Sequence, residues 1–196
     1  MNNAPVTRAS LLLRIRDCAD TQAWRQFVQL YAPVVFAYAR RRRIQEADAA
    51  DLTQEVLRSV ANSVGKFDYD RTRGSFRSWL FAVTRNKLMD LHRRQSFGPS
   101  TGGNSVQDLL NQQTAREEVD AWDQEFRKQV FSTAADHVRD EFETFTWQAF
   151  WRTAVDGVKP AEVARELNMS VGAVYIAKSR VQARLKEHIH ELTEDD

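Results

Sequence analysis

The sequence predicts an all-α protein built as two small helical domains joined by a flexible linker. Seven glycines and four prolines in 196 residues are sparse, long stretches lack both, and strand-type alternation is hard to find. One break interrupts this pattern: SFGPSTGGNS at Ser96–Ser105, where Phe97 alone is not Gly, Pro, Ser, Thr or Asn. Such a segment buries too little apolar surface to offset its ordering entropy. It is expected to continue loosely to Thr114, giving an N-terminal domain over 7–95, a linker over 96–114 and a C-terminal domain over 115–192.

The N-terminal domain reads as four helices. Thr7–Asp17 is short. Thr21–Arg43 follows Asp20, a good N-cap, and contains Pro33 as a point of bending. The third helix spans Asp48–Asn62 and the fourth Ser75–Arg94, with a polar loop at Ser63–Gly74 between them. The C-terminal domain offers helices near Glu117–Val138, Phe142–Val155, Pro160–Leu167 and Val171–Leu192. The closing acids Glu194, Asp195 and Asp196 read as a frayed tail.

Composition narrows the function. A net charge of +1 gives the whole molecule no attraction for nucleic acid, so any DNA binding must come from local patches. Cys18 is the single cysteine, which rules out an intrachain disulfide framework and fits a reducing cytoplasm. The opening MNNAPVTRASLLLRIRD has an apolar run of three leucines, far short of a signal-peptide core. No run of 18 apolar residues suggests a membrane span. His92, His137, His188 and His190 are scattered, and neither metal-ligand spacing nor a phosphate-binding glycine loop is found. No enzyme, metal or cofactor is expected.

Three helix faces carry the chemistry. On the third helix, rotated by about 100° per residue, Ala49, Leu52, Val56, Leu57 and Val60 fall in an apolar arc of roughly 140°. Asp48, Asp51, Gln54, Glu55, Arg58 and Asn62 lie opposite, a solvated face or a dock for a basic partner. On the fourth helix Phe76, Leu80, Val83, Thr84 and Leu91 face the core. Trp79, Asn86, Asp90 and Arg93 occupy a strip about 60° wide beside them. Amides, carboxylates and guanidinium groups at that spacing suit base edges and phosphates, and an aromatic among cations suits stacking on unpaired bases. Lys66 to Gln95 holds eight Lys or Arg against three Asp, a basic patch in a near-neutral chain.

The third face is the stretch KPAEVARELNMSVGAVYIAKSRVQARLKEHI, a short helix, a tight turn and a longer helix. Pro160 suits the first helical position, and Ser170 can cap the second helix. Val171, Val174, Val181, Leu185 and Ile189 form its expected buried stripe. Gly172, Ala173, Ile176, Ser179, Arg180, Ala183 and Arg184 face outward, small residues that would let a recognition helix enter a major groove. The aromatic group Phe142, Phe145, Trp147, Phe150 and Trp151 reads as core.

These blocks together resemble the extracytoplasmic-function group of bacterial sigma-70-type sigma factors, over almost the whole chain. DAADLTQEVL at Asp48–Leu57 is similar to that family's D-A-E-D-L-x-Q-E-x-F helix. The resemblance implies contact between Asp51, Gln54, Glu55, Arg58 and the β′ clamp helices of core RNA polymerase. FRSWLFAVTRNKLMDLHRR resembles the helix that reads the minus-10 element, which implies promoter contacts for Trp79, Asn86, Lys87, Asp90, Arg93 and Arg94. The loop at 63–74 falls where the family captures a flipped base. SVGAVYIAKSRVQARLKE is similar to the family's minus-35 recognition helix, implying DNA contacts for Ser170, Gly172, Ala173, Ile176, Ser179, Arg180 and Arg184. An edge of the aromatic group would meet the polymerase β flap, and an anti-sigma factor is a further implied partner.

The chain departs from the family pattern in one place that matters. Tyr175-Ile176-Ala177-Lys178 stands where Lys-Ser-Arg-Leu is usual. Ala177 then replaces a phosphate-binding Arg, and Lys178 falls on the buried stripe, to snorkel out or pair with Glu162 or Glu166. Lys159 replaces a usual capping Ser or Thr. The rival reading is an autonomous helix-turn-helix regulator, which leaves the acidic face of the third helix and the strip on the fourth without a role.

Overall fold

The computed structural model describes residues 9–66, 75–95 and 105–193. Its elements are α1 (Ala9–Arg14), α2 (Thr21–Arg41), α3 (Glu46–Ser63) followed by a 3-10 turn (Val64–Lys66), α4 (Phe76–Gln95), α5 (Ser105–Arg139), α6 (Thr144–Ala154), α7 (Pro160–Glu166) and α8 (Val171–Thr193). No strand occurs among the described residues. The expected flipped-base loop lies outside them beyond Lys66, as do Thr7, Arg8 and residues 96–104 of the expected linker.

Local chemistry explains the starts and stops. The Asp20 carboxylate accepts from the Ala23 amide at 2.9 Å, capping α2. α2 runs as one helix through Pro33, whose ring lies on its exposed side. Arg43 ends it in the left-handed region at φ 61°. Pro160 occupies the start of α7, and Lys159 makes no side-chain cap, as its type implies. The turn after α7 is closed by the Met169 amide donating to the Ala164 carbonyl at 2.8 Å. That geometry places Asn168 at φ 53°, where Asn is one of the few residues at ease.

The chain divides into two compact units at Gln129/Val130, inside α5. The expected domain boundary stood at residue 115. The residues from Ser105 to Thr114, expected as linker, are helical. The physical reason for the later boundary is the core of the first unit. Phe27, Tyr31, Val34, Val35 and Tyr38 of α2, Val56 and Val60 of α3, and Phe76 and Leu80 of α4 are buried there together with Trp122 and Phe126 of α5. Phe126 stacks on Tyr31 with ring centres 5.4 Å apart, and Trp122 meets Tyr38 edge-on at 5.5 Å and Phe81 at 5.7 Å. Aromatic contacts of this kind add to area burial, which is already large for rings of this size.

Charge reinforces the seam. Glu118 pairs with Arg42 at 3.1 Å and Arg85 at 3.0 Å, Glu125 pairs with Arg41 at 2.8 Å, and Asp123 pairs with Arg77. Arg77 is buried, and its guanidinium lies 4.5 Å from the Phe126 ring centre. A buried arginine without such a carboxylate would carry a heavy desolvation cost.

The second unit has two adjoining apolar clusters. Ala134, Ala135 and Val138 of α5 pack with Phe150 of α6 and Val181 and Leu185 of α8. Val163 and Ala164 of α7 pack with Ala149, Val174 and Ala177. The predicted aromatic core is partly realised: Phe150 is buried, Phe142, Trp147 and Trp151 are half-buried, and Phe145 is 61 % exposed.

Tyr38 supplies a test of the first unit's core. Its ring is buried, its hydroxyl has no hydrogen-bond partner among the described residues, and burial pushes its pKa up to about 12 despite the Arg42 cation 3.5 Å above the ring. A phenol whose folded pKa is raised contributes stability that is complete below its ordinary value near 10 and is lost as pH rises through 12. Urea unfolding at neutral and alkaline pH should show Tyr38→Phe at least as stable as wild type near neutrality. The same variant should lose less stability than wild type above about pH 10. Parallel pH curves for the two proteins would contradict the burial.

Candidate nucleic-acid interface

α3 and α4 pack so that the acidic face of one adjoins the basic end of the other. Ala49, Leu52, Thr53, Val56 and Val60 are buried on α3, while Leu57 is half-buried. Asp51, Gln54 and Arg58 are exposed, and Glu55 is half-buried, reaching Lys87 of α4 at 3.6 Å. Asp48, Asp51, Leu52, Glu55, Lys87, Asp90, Leu91 and Arg94 line one cleft of about 180 Å³. Two residue sets read separately in the sequence thus meet at one site.

α4 faces two ways. Phe76, Arg77, Leu80, Thr84 and Leu88 are buried, whereas Val83 and Leu91 are only half-buried. Leu88 and Arg77 were missing from the sequence-derived core. Arg77, Phe81 and Arg85 point to α5, and the strip of Trp79, Asn86, Asp90 and Arg93 lies about 150° around the helix from them. Asn86, Asp90, Arg93 and Arg94 are exposed, and Asp90 pairs with Arg93 at 3.3 Å. Trp79 is half-buried, packed on Phe76 with ring centres 5.4 Å apart. The basic patch therefore splits: Arg77 and Arg85 are neutralised by α5, and Lys87, Arg93 and Arg94 belong to the outer face.

In the second unit α7, the Asn168 turn and α8 form a helix-turn-helix. The Ser170 hydroxyl accepts from the Ala173 amide at 3.1 Å, the predicted cap. The buried stripe of α8 is Val174, Ala177, Val181 and Leu185, with Ile189 packed beside it. Val171, expected inside, is 42 % exposed, because the first turn of α8 projects past the core. Ala177 rather than Lys178 carries the stripe, so Ala177 is not a vacated DNA contact. Lys178 is half-buried, and the Glu166 expected to receive it pairs with Arg152.

Ser170, Gly172, Ile176, Ser179 and Arg180 are exposed and Ala173 is half-buried. Arg184 differs. Its guanidinium is drawn to Glu141 in the turn between α5 and α6, with Nε at 2.5 Å and Nη2 at 2.9 Å, and to Glu187 at 3.3 Å. This pairing raises the Arg184 pKa and lowers that of Glu141. Tyr175, absent from the sequence-derived site, is 57 % exposed on the same helix. Among the described residues no group of three or more His, Cys, Asp or Glu is placed to hold a metal ion, and no helix is long and apolar enough to cross a membrane.

A helical unit with an acid-lined cleft beside an exposed polar and basic strip, and a second unit with a helix-turn-helix, have the features of a DNA-binding protein. Residues 27–97 match the family model for sigma-70 region 2. The chain is similar to the RNA polymerase sigma factor CnrH of Cupriavidus metallidurans, 26 % identical over 167 residues that cover 85 % of this chain and 86 % of the relative. It is also similar to the ECF RNA polymerase sigma factor SigE of Mycolicibacterium smegmatis, 34 % identical over 79 residues, 40 % of this chain and 29 % of the relative. A solved structure of CnrH in complex with the cytosolic domain of CnrY matches with a TM-score of 0.38 and 21 % identity, over 93 % of this chain and 96 % of that one. These similarities support an RNA polymerase sigma factor of the sigma-70 family, in its extracytoplasmic-function (ECF) group. The named relatives and the region 2 match support the sigma-factor function over that of an autonomous helix-turn-helix regulator.

Proposed function

We propose that the chain acts in the cytoplasm as a positioning subunit without a reaction of its own, carrying core RNA polymerase to promoter DNA. The polar face of α3 docks on a basic helical surface of the polymerase through Asp51, Gln54, Glu55 and Arg58. On α4, Asn86 and Asp90 read bases of the minus-10 element, Trp79 stacks on an unpaired base, and Lys87, Arg93 and Arg94 hold phosphates. Ser170, Gly172, Ala173, Ile176, Ser179 and Arg180 present α8 to the minus-35 element. Arg184, tied to Glu141 in the turn after α5, steadies α8 and stands outside this set.

One observation carries the reading: the cleft shared by Asp51, Glu55, Lys87, Asp90 and Arg94. It sets the acids that suit a protein partner beside the cations that suit a phosphate backbone. A charge at the cleft can thus couple polymerase docking to the attitude of the DNA strip.

Two measurements test it. Asp51→Lys combined with Glu55→Lys alters side chains outside the core, where substitutions usually cost within about 0.5 kcal/mol. The double variant should keep its helical signal and fail to co-elute with core polymerase on gel filtration, and normal assembly would contradict the docking face. For promoter reading, holoenzymes carrying Asn86→Ala or Arg94→Ala are compared on a minus-10 promoter library. Asn86→Ala should change which bases are preferred, whereas Arg94→Ala should lower output evenly. Unchanged preferences for Asn86→Ala would remove its base-reading role.

A further inference from the structure

The outward face of α8 has few side chains able to hydrogen-bond a base edge. Rotated by about 100° per residue, Gly172, Ile176, Ser179 and Ala183 fall within an arc of about 60°. Only Ser179 in that arc bears a hydrogen-bonding group. Ile176 is 62 % exposed, and Tyr175 beside it is 57 % exposed. Neither serves the fold, because Val174, Ala177, Val181 and Leu185 already form the buried stripe. The cation expected to reach from this face, Arg184, is held by Glu141. A Cβ added at Gly172 would meet nothing nearer than the Ser170 hydroxyl at 4.0 Å, so the approach to the first turn is open.

Charge indicates what covers this apolar pair. Lys178 and Lys186 lie to either side of Tyr175 on the helical rotation, and Arg180 lies next to Ile176. Glu187, the acid nearest the pair on this face, is bonded to Arg184 at 3.3 Å. An apolar centre rimmed by cations fits a duplex groove edged by phosphates better than an apolar protein groove. Within the major groove the apolar feature of a base pair is the C5-methyl group of thymine.

We propose that α8 selects its minus-35 element through hydrophobic contact, with Ile176 and Tyr175 packing on thymine methyl groups and Ser179 and Arg180 supplying the polar contacts. The proposal rests on the reading that α8 enters the major groove. It deepens that reading by naming the chemistry that is recognised. It also assigns a role to Tyr175-Ile176, the place where this chain departs from the usual recognition helix.

The test uses holoenzyme assembled from the full chain and core polymerase. Minus-35 sequences are first selected from a randomised promoter library. Each thymine recovered there is then replaced singly by uracil, which removes the methyl and nothing else. Binding should weaken about fourfold at one or two positions, the effect of removing one buried methyl-sized group. Ile176→Ala or Tyr175→Ala should bind the thymine and uracil forms of those positions equally. Equal binding of both forms by wild type, with Arg180→Ala changing the selected sequence, would overturn methyl reading and leave minus-35 recognition intact. No sequence preference in the randomised window would overturn recognition by α8 itself, and the proposal with it. Failure of the two alanine variants to assemble with core polymerase would make the face a protein interface and overturn the proposal.

Discussion

The packing of Trp122 and Phe126 against α2 and α4 decides which side of α4 is left open to solvent. Both rings are buried, and they meet Tyr31, Tyr38 and Phe81 at centre distances of 5.4 to 5.7 Å. The carboxylates that accompany them on α5 draw Arg42, Arg77 and Arg85 to the same side. α4 is thereby fixed in rotation, its apolar and inner basic residues committed to the core. Trp79, Asn86, Asp90 and Arg93 remain on the far side. A helix free to roll would average these two faces. The fixed one presents a single polar and basic surface, and a preorganised surface loses less entropy when it binds.

The same constraint accounts for how a chain of net charge +1 serves DNA. Acids of α5 cancel arginines that have a structural task, and acids of α3 line the cleft shared with α4. On the open side of α4 and α8 stand Lys87, Arg93, Arg94 and Arg180, the first two paired with Glu55 and Asp90. In the second unit the economy is similar. Arg184 steadies α8 through Glu141, and the outward face of the helix is left small, apolar and edged by charge.

Much of this was legible in the sequence because it is local. Caps at Asp20 and Ser170, the proline at the start of α7 and the apolar period of α3 involve residues within one or two helical turns. The family resemblance rested on short motifs of the same range. What escaped was long-range. Arg77 reads as one more surface cation until Asp123, 46 residues on, is seen to neutralise it. Trp122 and Phe126 follow the Gly-rich break, so position along the chain placed them in the second domain, whereas their packing is with the first compact unit. On α8 the stripe was read through Val171. The first turn of a helix can project beyond its core, and only packing shows that Ala177 lies inside. Periodicity likewise cannot reveal that Arg184 pairs with Glu141, in the turn between α5 and α6. The Schellman-type turn at Asn168 could have been found, since Asn is the usual substitute for Gly there.

The central claim is that this chain gives core RNA polymerase its promoter specificity. Run-off transcription on a pool of promoter-bearing templates, using purified core polymerase with and without the chain, tests it most directly. The account predicts discrete transcripts from a defined subset of templates only when the chain is present, with the chain recovered in complex with polymerase. Transcription unaltered by the chain, together with tight two-fold-symmetric binding of the free protein to duplex DNA, would contradict it.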